Sequence, residues 1–192
     1  MSTDVIHVIT PGDHYSPRTG SAIPSVVHGL ASAARAAGDD ADFPPYVMVD
    51  GSTMHPRYDS ALPIEYPGEP RPGRTQRYAD VIGSRLGRAR TNAVRYIRPL
   101  ARELRLRRSG IVVAHNLPVL SSLLDDGGHR VVLYAHNDIL RSYSRRELDR
   151  TLGGMEVVVC VSRSLAATTA GRLPTALAAK VRVVTSGADC RR

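Results

Sequence analysis

Tryptophan is absent from this chain, phenylalanine occurs once, and Lys180 is the sole lysine among 26 basic residues. Aromatic residues amount to 5%. That is too few to line a groove holding single-stranded nucleic acid by base stacking, so nucleic acid is not the expected partner. The two cysteines, Cys160 and Cys190, make neither a disulfide framework nor a zinc site. Cys160 lies in an apolar run and reads as a small buried residue. Long hydrophobic runs are missing as well. The longest, around Val157 to Val161, is strand-sized, far short of the ~20 residues a membrane-spanning helix needs. Residues 1–4 carry no basic stretch leading into an apolar one, so no signal peptide is read and a cytoplasmic location is expected. Internal repeats and low-complexity segments are also lacking.

What is present is 192 residues with 42% apolar content and a formal net charge of +8. This suffices for one good-sized domain with its own core. A basic surface attracts phosphate in any form: nucleic acid, anionic lipid or nucleotide-sugar. Charge alone does not choose among them.

Apolar runs rich in β-branched residues alternate with helical patterns. Strands are read at residues 5–10, 46–49, 61–66, 111–114, 131–135, 157–161 and 181–185. A helix is read over residues 21–37, with Ile23, Val26, Val27, Leu30, Ala31 and Ala34 at helical spacing and Gly38 as its stop. Pro24 is tolerable there because it falls in the first turn. A long helical region follows from about residue 75 to 107, its apolar stripe being Leu86, Ala89, Ala93, Ile97, Leu100 and Leu104. Gly83, Gly87 and Pro99 are its candidate breaks. Continuous apolar strands separated by helices predict an α/β domain with a Rossmann-like, largely parallel sheet of six or seven strands flanked by helices. Ligands of such sheets bind beyond the strand C-termini. Attention therefore falls on Pro11 to Ser21, His115 and Asn116, His136 to Asp138, Ser162 and Arg163, and Ser186 to Asp189.

Six segments occur in order: PGDHYSPRTGS after the first strand, the helix SVVHGLASAARAAG, then IVVAHNLPVL, VVLYAHND, VVVCVSRSL and KVRVVTSGAD. In that order and spacing the chain resembles the N-terminal, acceptor-side domain of family 4 glycosyltransferases of the GT-B type, over essentially residues 1–192. Two departures stand out. The family's Gly-Gly turn is Gly20-Ser21 here, and the Asn of its closing motif is Ser186. The resemblance implies one half of a two-domain enzyme that transfers a hexosyl group, with retention, from a nucleotide-diphosphate sugar to a hydroxyl acceptor. The donor-binding half, with its pair of glutamates, is not within these residues. It is expected from further sequence or from a separate polypeptide, and the 192-residue chain alone is expected to be inactive.

The resemblance assigns Gly20 and Ser21 to the donor diphosphate. A helix N-terminus offers free N–H groups and partial positive charge; the plainer reading is a loop with Ser21 as N-cap. It places His136 near the transferred sugar, as the catalytic position, against the plainer reading of a polar strand end. His115 and Asn116 are read as acceptor pocket or as structural floor. His14 is a candidate acceptor contact; a histidine in that loop serves as the base in inverting enzymes, whereas family 4 members retain. His7 and His28 read as ordinary strand and helix residues, His55 and His129 as loop residues. Asp40-Ala41-Asp42 spells a metal-binding DxD but reads as a solvated turn, so neither metal nor cofactor is expected.

Between Arg71 and Arg108 there are 12 arginines against Asp80 and Glu103. This segment reads either as an amphipathic surface for anionic membrane, at the inner face of the plasma membrane, or as a solvated helix face. Two other functions compete. One is a non-catalytic module that binds acceptor or membrane and recruits a donor-binding subunit. The other is a nicotinamide enzyme; the missing G-x-G-x-x-G after the first strand argues against it, as does the lack of an acidic residue at the end of the second strand, although Asp50 sits close by.

Overall fold

The computed structural model describes residues 3–37, 45–124 and 128–185. Seven strands form one sheet: β1 (Val5–Val8), β2 (Tyr46–Asp50), β3 (Leu62–Tyr66), β4 (Ile111–His115), β5 (Arg130–Ala135), β6 (Met155–Cys160) and β7 (Val181–Val183). Their order is β3-β2-β1-β4-β5-β6-β7, and every pairing is parallel. The expected α/β, Rossmann-like architecture is therefore present, with all strands parallel.

Each strand from β1 to β6 is joined to the next by a crossover. The helices are α1 (Ala22–Ala37), α2 (Arg74–Arg85), α3 (Thr91–Arg105), α4 (Leu120–Leu123), α5 (Arg145–Leu152), α6 (Arg163–Arg172) and α7 (Thr175–Ala178). Crossovers between parallel strands are right-handed as a rule, and running outward in two directions from β1 and β4 they put helices on both faces. Side chains alternate along each strand. Ile6 and Val8 of β1, with Val112, Ala114, Leu133 and Val158, meet Leu100 and Leu104 of α3 and Leu148 and Leu152 of α5 in the larger core. Val47 and Val49 of β2 meet Val27 and Ala31 of α1 in a smaller one, with Ile9 and Tyr15 from the β1 loop. Each fully buried Leu or Ile contributes about 1.5–3 kcal/mol by leaving water. Cys160, the last residue of β6, is fully buried as expected.

The long helical region is two helices. Of its three candidate breaks only Gly87 acts. It takes φ +78°, the Gly87 N–H donates to Ser84 and the Arg88 N–H to Gly83, so α2 ends in a Schellman turn that requires a left-handed residue. Gly83 stays inside α2 and Pro99 inside α3. The apolar stripe needs correcting accordingly. Ile97, Leu100 and Leu104 are buried, while Leu86 is 72% exposed because it lies at the end of α2, on a different axis. The buried Asp80 of α2 caps α3, accepting from the backbone N–H of Asn92 and of Ala93 at 3.2 and 2.9 Å. Arg90, at the N-terminus of α3, reaches across to α5. Its Nε lies 2.5 Å from Glu147 Oε1, Nη2 donates to the Ser142 carbonyl at 2.7 Å, and the guanidinium covers the Tyr143 ring at 3.8 Å.

Candidate functional site

Because all strands run the same way, the loops after β1, β4 and β5 emerge on one edge of the sheet. Gly20 and His136, separated by 116 positions of sequence, thus share the C-terminal rim, as the strand pattern predicted. The β1 loop that carries Gly20 is held firmly. Tyr15 is fully buried and its hydroxyl lies 2.7 Å from Ser60 Oγ; the Tyr58 N–H donates to the Tyr15 carbonyl. Thr19 Oγ1 donates to the carbonyls of His14 and Ser16. Ser21 precedes α1, and its carbonyl accepts the Ser25 N–H at 3.2 Å. Gly20 is exposed, and a Cβ added there would meet nothing within 4 Å. Gly20 thus lies in open space beside the first turn of α1, where Pro24 has no N–H and the Ser25 N–H is donated to Ser21, so Ala22 and Ile23 are the residues of that turn that can offer N–H groups to an anion.

His14 sits in the same loop. Its Nδ1 accepts the backbone N–H of Met54 at 3.0 Å. A neutral imidazole accepting at Nδ1 carries its proton on Nε2, so His14 offers the rim a donor rather than a base.

His115 and Asn116 do not stand side by side in a pocket. His115 is fully buried and presents no surface to an acceptor. Its Nδ1 lies 2.8 Å from His136 Nε2, and its Nε2 lies 3.1 Å from His7 Nδ1. Tyr134 stacks against both His115 and His136, with ring centroids 5.1 and 4.9 Å apart. Asn116 adopts φ +56°, a left-handed geometry that asparagine tolerates. Its Oδ1 accepts the backbone N–H of His136 at 2.9 Å, which ties the ends of β4 and β5 together. Asn116 thus positions His136. Read from sequence, His7 was an ordinary strand residue; here it is the far end of a chain of three imidazoles. The other histidines have local partners. His28 Nδ1 lies 2.7 Å from Ser60 Oγ with its ring stacked on Tyr58, and the Gly110 N–H donates to His129.

Burial disfavours the charged form of all three imidazoles. It lowers His7 to about 4, lowers His115 well below the usual histidine value with added repulsion from His7 and His136, and lowers His136. The consequence for stability has a definite sign. Below the unfolded value of 6.5 the unfolded chain binds protons that the folded chain refuses, until pH reaches about 4 for His7. Stability should therefore be full above pH 6.5 and fall as pH drops toward 4. The expected slope is up to about 1.4 kcal/mol per pH unit for each of His7 and His115. Urea midpoints measured across this range should show it, and a flat profile would contradict it.

The β2 and β3 ends hold residues that were not singled out as site candidates from the sequence. A cavity of about 470 Å³ is lined by Asp50, Gly51, Ser52, Glu65, Tyr66, Pro67 and Gly68. Asp50 Oδ1 accepts from the N–H and hydroxyl of Ser52 at 2.9 and 2.7 Å. A Cβ on Gly68 would lie 1.8 Å from Asp50 Oδ2, so a larger residue there requires the Asp50 side chain to move. The Tyr66 hydroxyl is buried without a hydrogen-bond partner; burial, and then Asp50, Tyr96 and Asp13, push its ionisation up. Burial likewise raises Asp13, against the Thr10 side chain, Arg71 and His14. The sequence signal was available, since Asp50 and Tyr66 each end a strand, but neither carried a motif. Another cavity, of about 350 Å³, lies around Arg90 and Glu147 between α3, α4 and α5 and includes none of the rim residues named above.

Among the described residues no group of three His, Cys, Asp or Glu side chains is arranged to hold a metal ion. No described helix is long and apolar enough to cross a membrane. Asp40-Ala41-Asp42, the segment Ser186 to Asp189, Gly38 and Cys190 lie outside the described residues. No protein-family model matches this chain, and no curated protein matches it.

Proposed function

We propose that this chain is the acceptor-side half of a glycosyltransferase that moves a sugar from a nucleotide-diphosphate donor to a hydroxyl. The observation that carries the reading is the shared rim. An open helix N-terminus at Gly20 and Ser21 stands on the same edge of an all-parallel sheet as His136. In the proposed reaction the amides of Gly20 and Ser21 receive the departing diphosphate. Held by Asn116 and His115, His136 faces the transferred sugar, and His14 donates to the acceptor from Nε2. The other half supplies further positive charge and the second wall of the cleft. Catalysis then rests on positioning and on stabilising charge on the leaving group. The test pairs the purified chain with a donor-binding half in trans and measures sugar transfer from UDP- and GDP-sugars. Transfer by the pair and none by either half is expected. Absence of donor hydrolysis or transfer with every half tried would count against it.

The second reading, a module that docks on membrane and recruits a donor-binding subunit, is favoured by α2. Tyr78, Ile82 and Leu86 are 72%, 51% and 72% exposed at four-residue spacing, among the exposed Arg74, Arg77, Arg85 and Arg88. An apolar stripe with flanking arginines suits the interface of an anionic bilayer. The apolar stripe of α3 lies in the core, so α2 is the half of the Arg71 to Arg108 segment in question. This would make the protein peripheral at the inner face of the plasma membrane. Sedimentation with phosphatidylglycerol vesicles is expected, with no sedimentation on phosphatidylcholine and loss of binding in the triple variant Tyr78→Ser, Ile82→Ser, Leu86→Ser. Equal binding by that variant would sink the idea.

A further inference from the structure

The three imidazoles climb the sheet diagonally. His7 on β1 pairs in register with Val113, two residues before His115. His115 on β4 pairs with Tyr134, two residues before His136. Each step moves one strand across and two residues toward the rim, so all three side chains stand on one face. The ring centroids are 5.4 and 5.2 Å apart. At the lower end, His7 lines a cavity of about 130 Å³ with Thr3, Asp4, Ala34, Pro45 and Tyr46, at the N-terminal edge of β1 and β2. The upper end is the rim.

A neutral imidazole carries one N–H and one lone pair. Two contacts in series, Nδ1 to Nε2 each time, then allow only two neutral arrangements. Either all three rings hold the proton on Nδ1 and donate upward, or all three hold it on Nε2 and donate downward. A mixed set leaves two protons, or two lone pairs, facing each other in a buried contact.

We propose that His7, His115 and His136 form a proton relay linking the rim to the cavity at the opposite edge of the sheet, with His7 and His115 as positioning residues that set which nitrogen of His136 is protonated. The step balances. With all protons on Nε2, the rim-facing Nδ1 of His136 accepts a proton. Its Nε2 proton passes to His115 Nδ1, the Nε2 proton of His115 passes to His7 Nδ1, and the Nε2 proton of His7 leaves into the cavity. One proton enters, one leaves, and every ring ends protonated on Nδ1. Burial disfavours charge on all three rings, and His115 is disfavoured further by charge on His7 or His136. The remaining titratable neighbours are Tyr134, stacked on two of the rings, Asp4 and Tyr46 beside His7 in the cavity, and Asp138 near His136. Asp138 is paired with Arg172 at 3.0 Å. Only the use of the relay, taking up the acceptor proton, rests on the glycosyltransferase reading.

Long-range proton–nitrogen correlation on the histidine-labelled chain reads each tautomer directly. In the wild type all three rings are expected in the same tautomer, with their nitrogens shifting in coupled steps as pH is lowered. His7→Asn keeps a polar atom at the Nδ1 position but has no titratable nitrogen. In this variant the His136 midpoint is expected to move by at least ~0.5 pH unit although the change is two rings away. Mixed tautomers in the wild type, or a His136 midpoint unmoved in His7→Asn, would overturn the relay. The wild-type result decides even if the variant does not fold. In the chain paired with its donor-binding half, His7→Asn should shift the pH profile of kcat and leave KM unchanged. Transfer with an unshifted profile removes the relay from the reaction, whereas shared tautomers without any transfer leave the relay standing and remove the transferase reading.

Discussion

Arg90→Ala is expected to destabilise the fold by about 3–5 kcal/mol, the loss typical of removing one partner from a buried ion pair. For a domain of this size that is a fall of roughly 6–20 °C in the melting midpoint. The side chains of Arg90 and Glu147 are only 10% and 4% exposed, and the contact is two-pronged, with Nη2 also 3.3 Å from Oε2. Removing the guanidinium strands a buried carboxylate, leaves the Ser142 carbonyl without its donor and uncovers the Tyr143 ring. Most of the loss comes from the stranded charge rather than from the attraction itself. The double variant Arg90→Met, Glu147→Met should therefore recover more than half of it. Recovery will be incomplete, because Glu147 also receives the Ser144 N–H in the capping box of α5. Calorimetry on the single and double variants checks both statements. A single variant within 1 kcal/mol of wild type would show that the pair is solvated, not buried.

In the chain paired with a donor-binding half, Gly20→Val and His136→Ala should each lower kcat/KM by about 100-fold or more. That is the scale of losing a preorganised group at a developing charge. The two variants fail for different reasons. A Cβ at position 20 meets no protein atom within 4 Å, so valine is expected to leave the fold intact and to block only a ligand approaching the backbone. Alanine at position 136 takes a partner from the fully buried His115. It should also reduce stability by about 1–3 kcal/mol, the penalty for an unsatisfied buried group. His136→Gln separates these effects by restoring a hydrogen-bonding atom near His115 without a titratable ring. It should regain stability and stay inactive. Unchanged transfer in Gly20→Val would remove the diphosphate from that helix end, and brisk transfer by the isolated chain would mean that its donor site lies elsewhere.

Six or seven strands, their largely parallel direction and the placement of strand-end residues on one rim were legible in the sequence, because buried parallel strands must be apolar on both faces and helices must return the chain to the same edge. So were the buried Cys160 and the first-turn Pro24. The break between α2 and α3 was only half legible. Pattern alone offers Gly83, Gly87 and Pro99 equally, and only Gly87 takes the left-handed φ that ends a helix. Tertiary structure alone decided which apolar positions were covered. Leu86 and Leu104 have the same periodicity in the sequence, yet one is exposed and the other is in the core, because the chain changes axis between them. It also decided the partners. Arg90 finds Glu147 57 positions away, and His7 finds His115 108 positions away. Such contacts follow from strand order and register, which a single sequence does not encode locally. Burial then does the rest: three histidines that read as strand residue, floor and catalytic candidate become one neutral, hydrogen-bonded chain because the sheet withholds them from water.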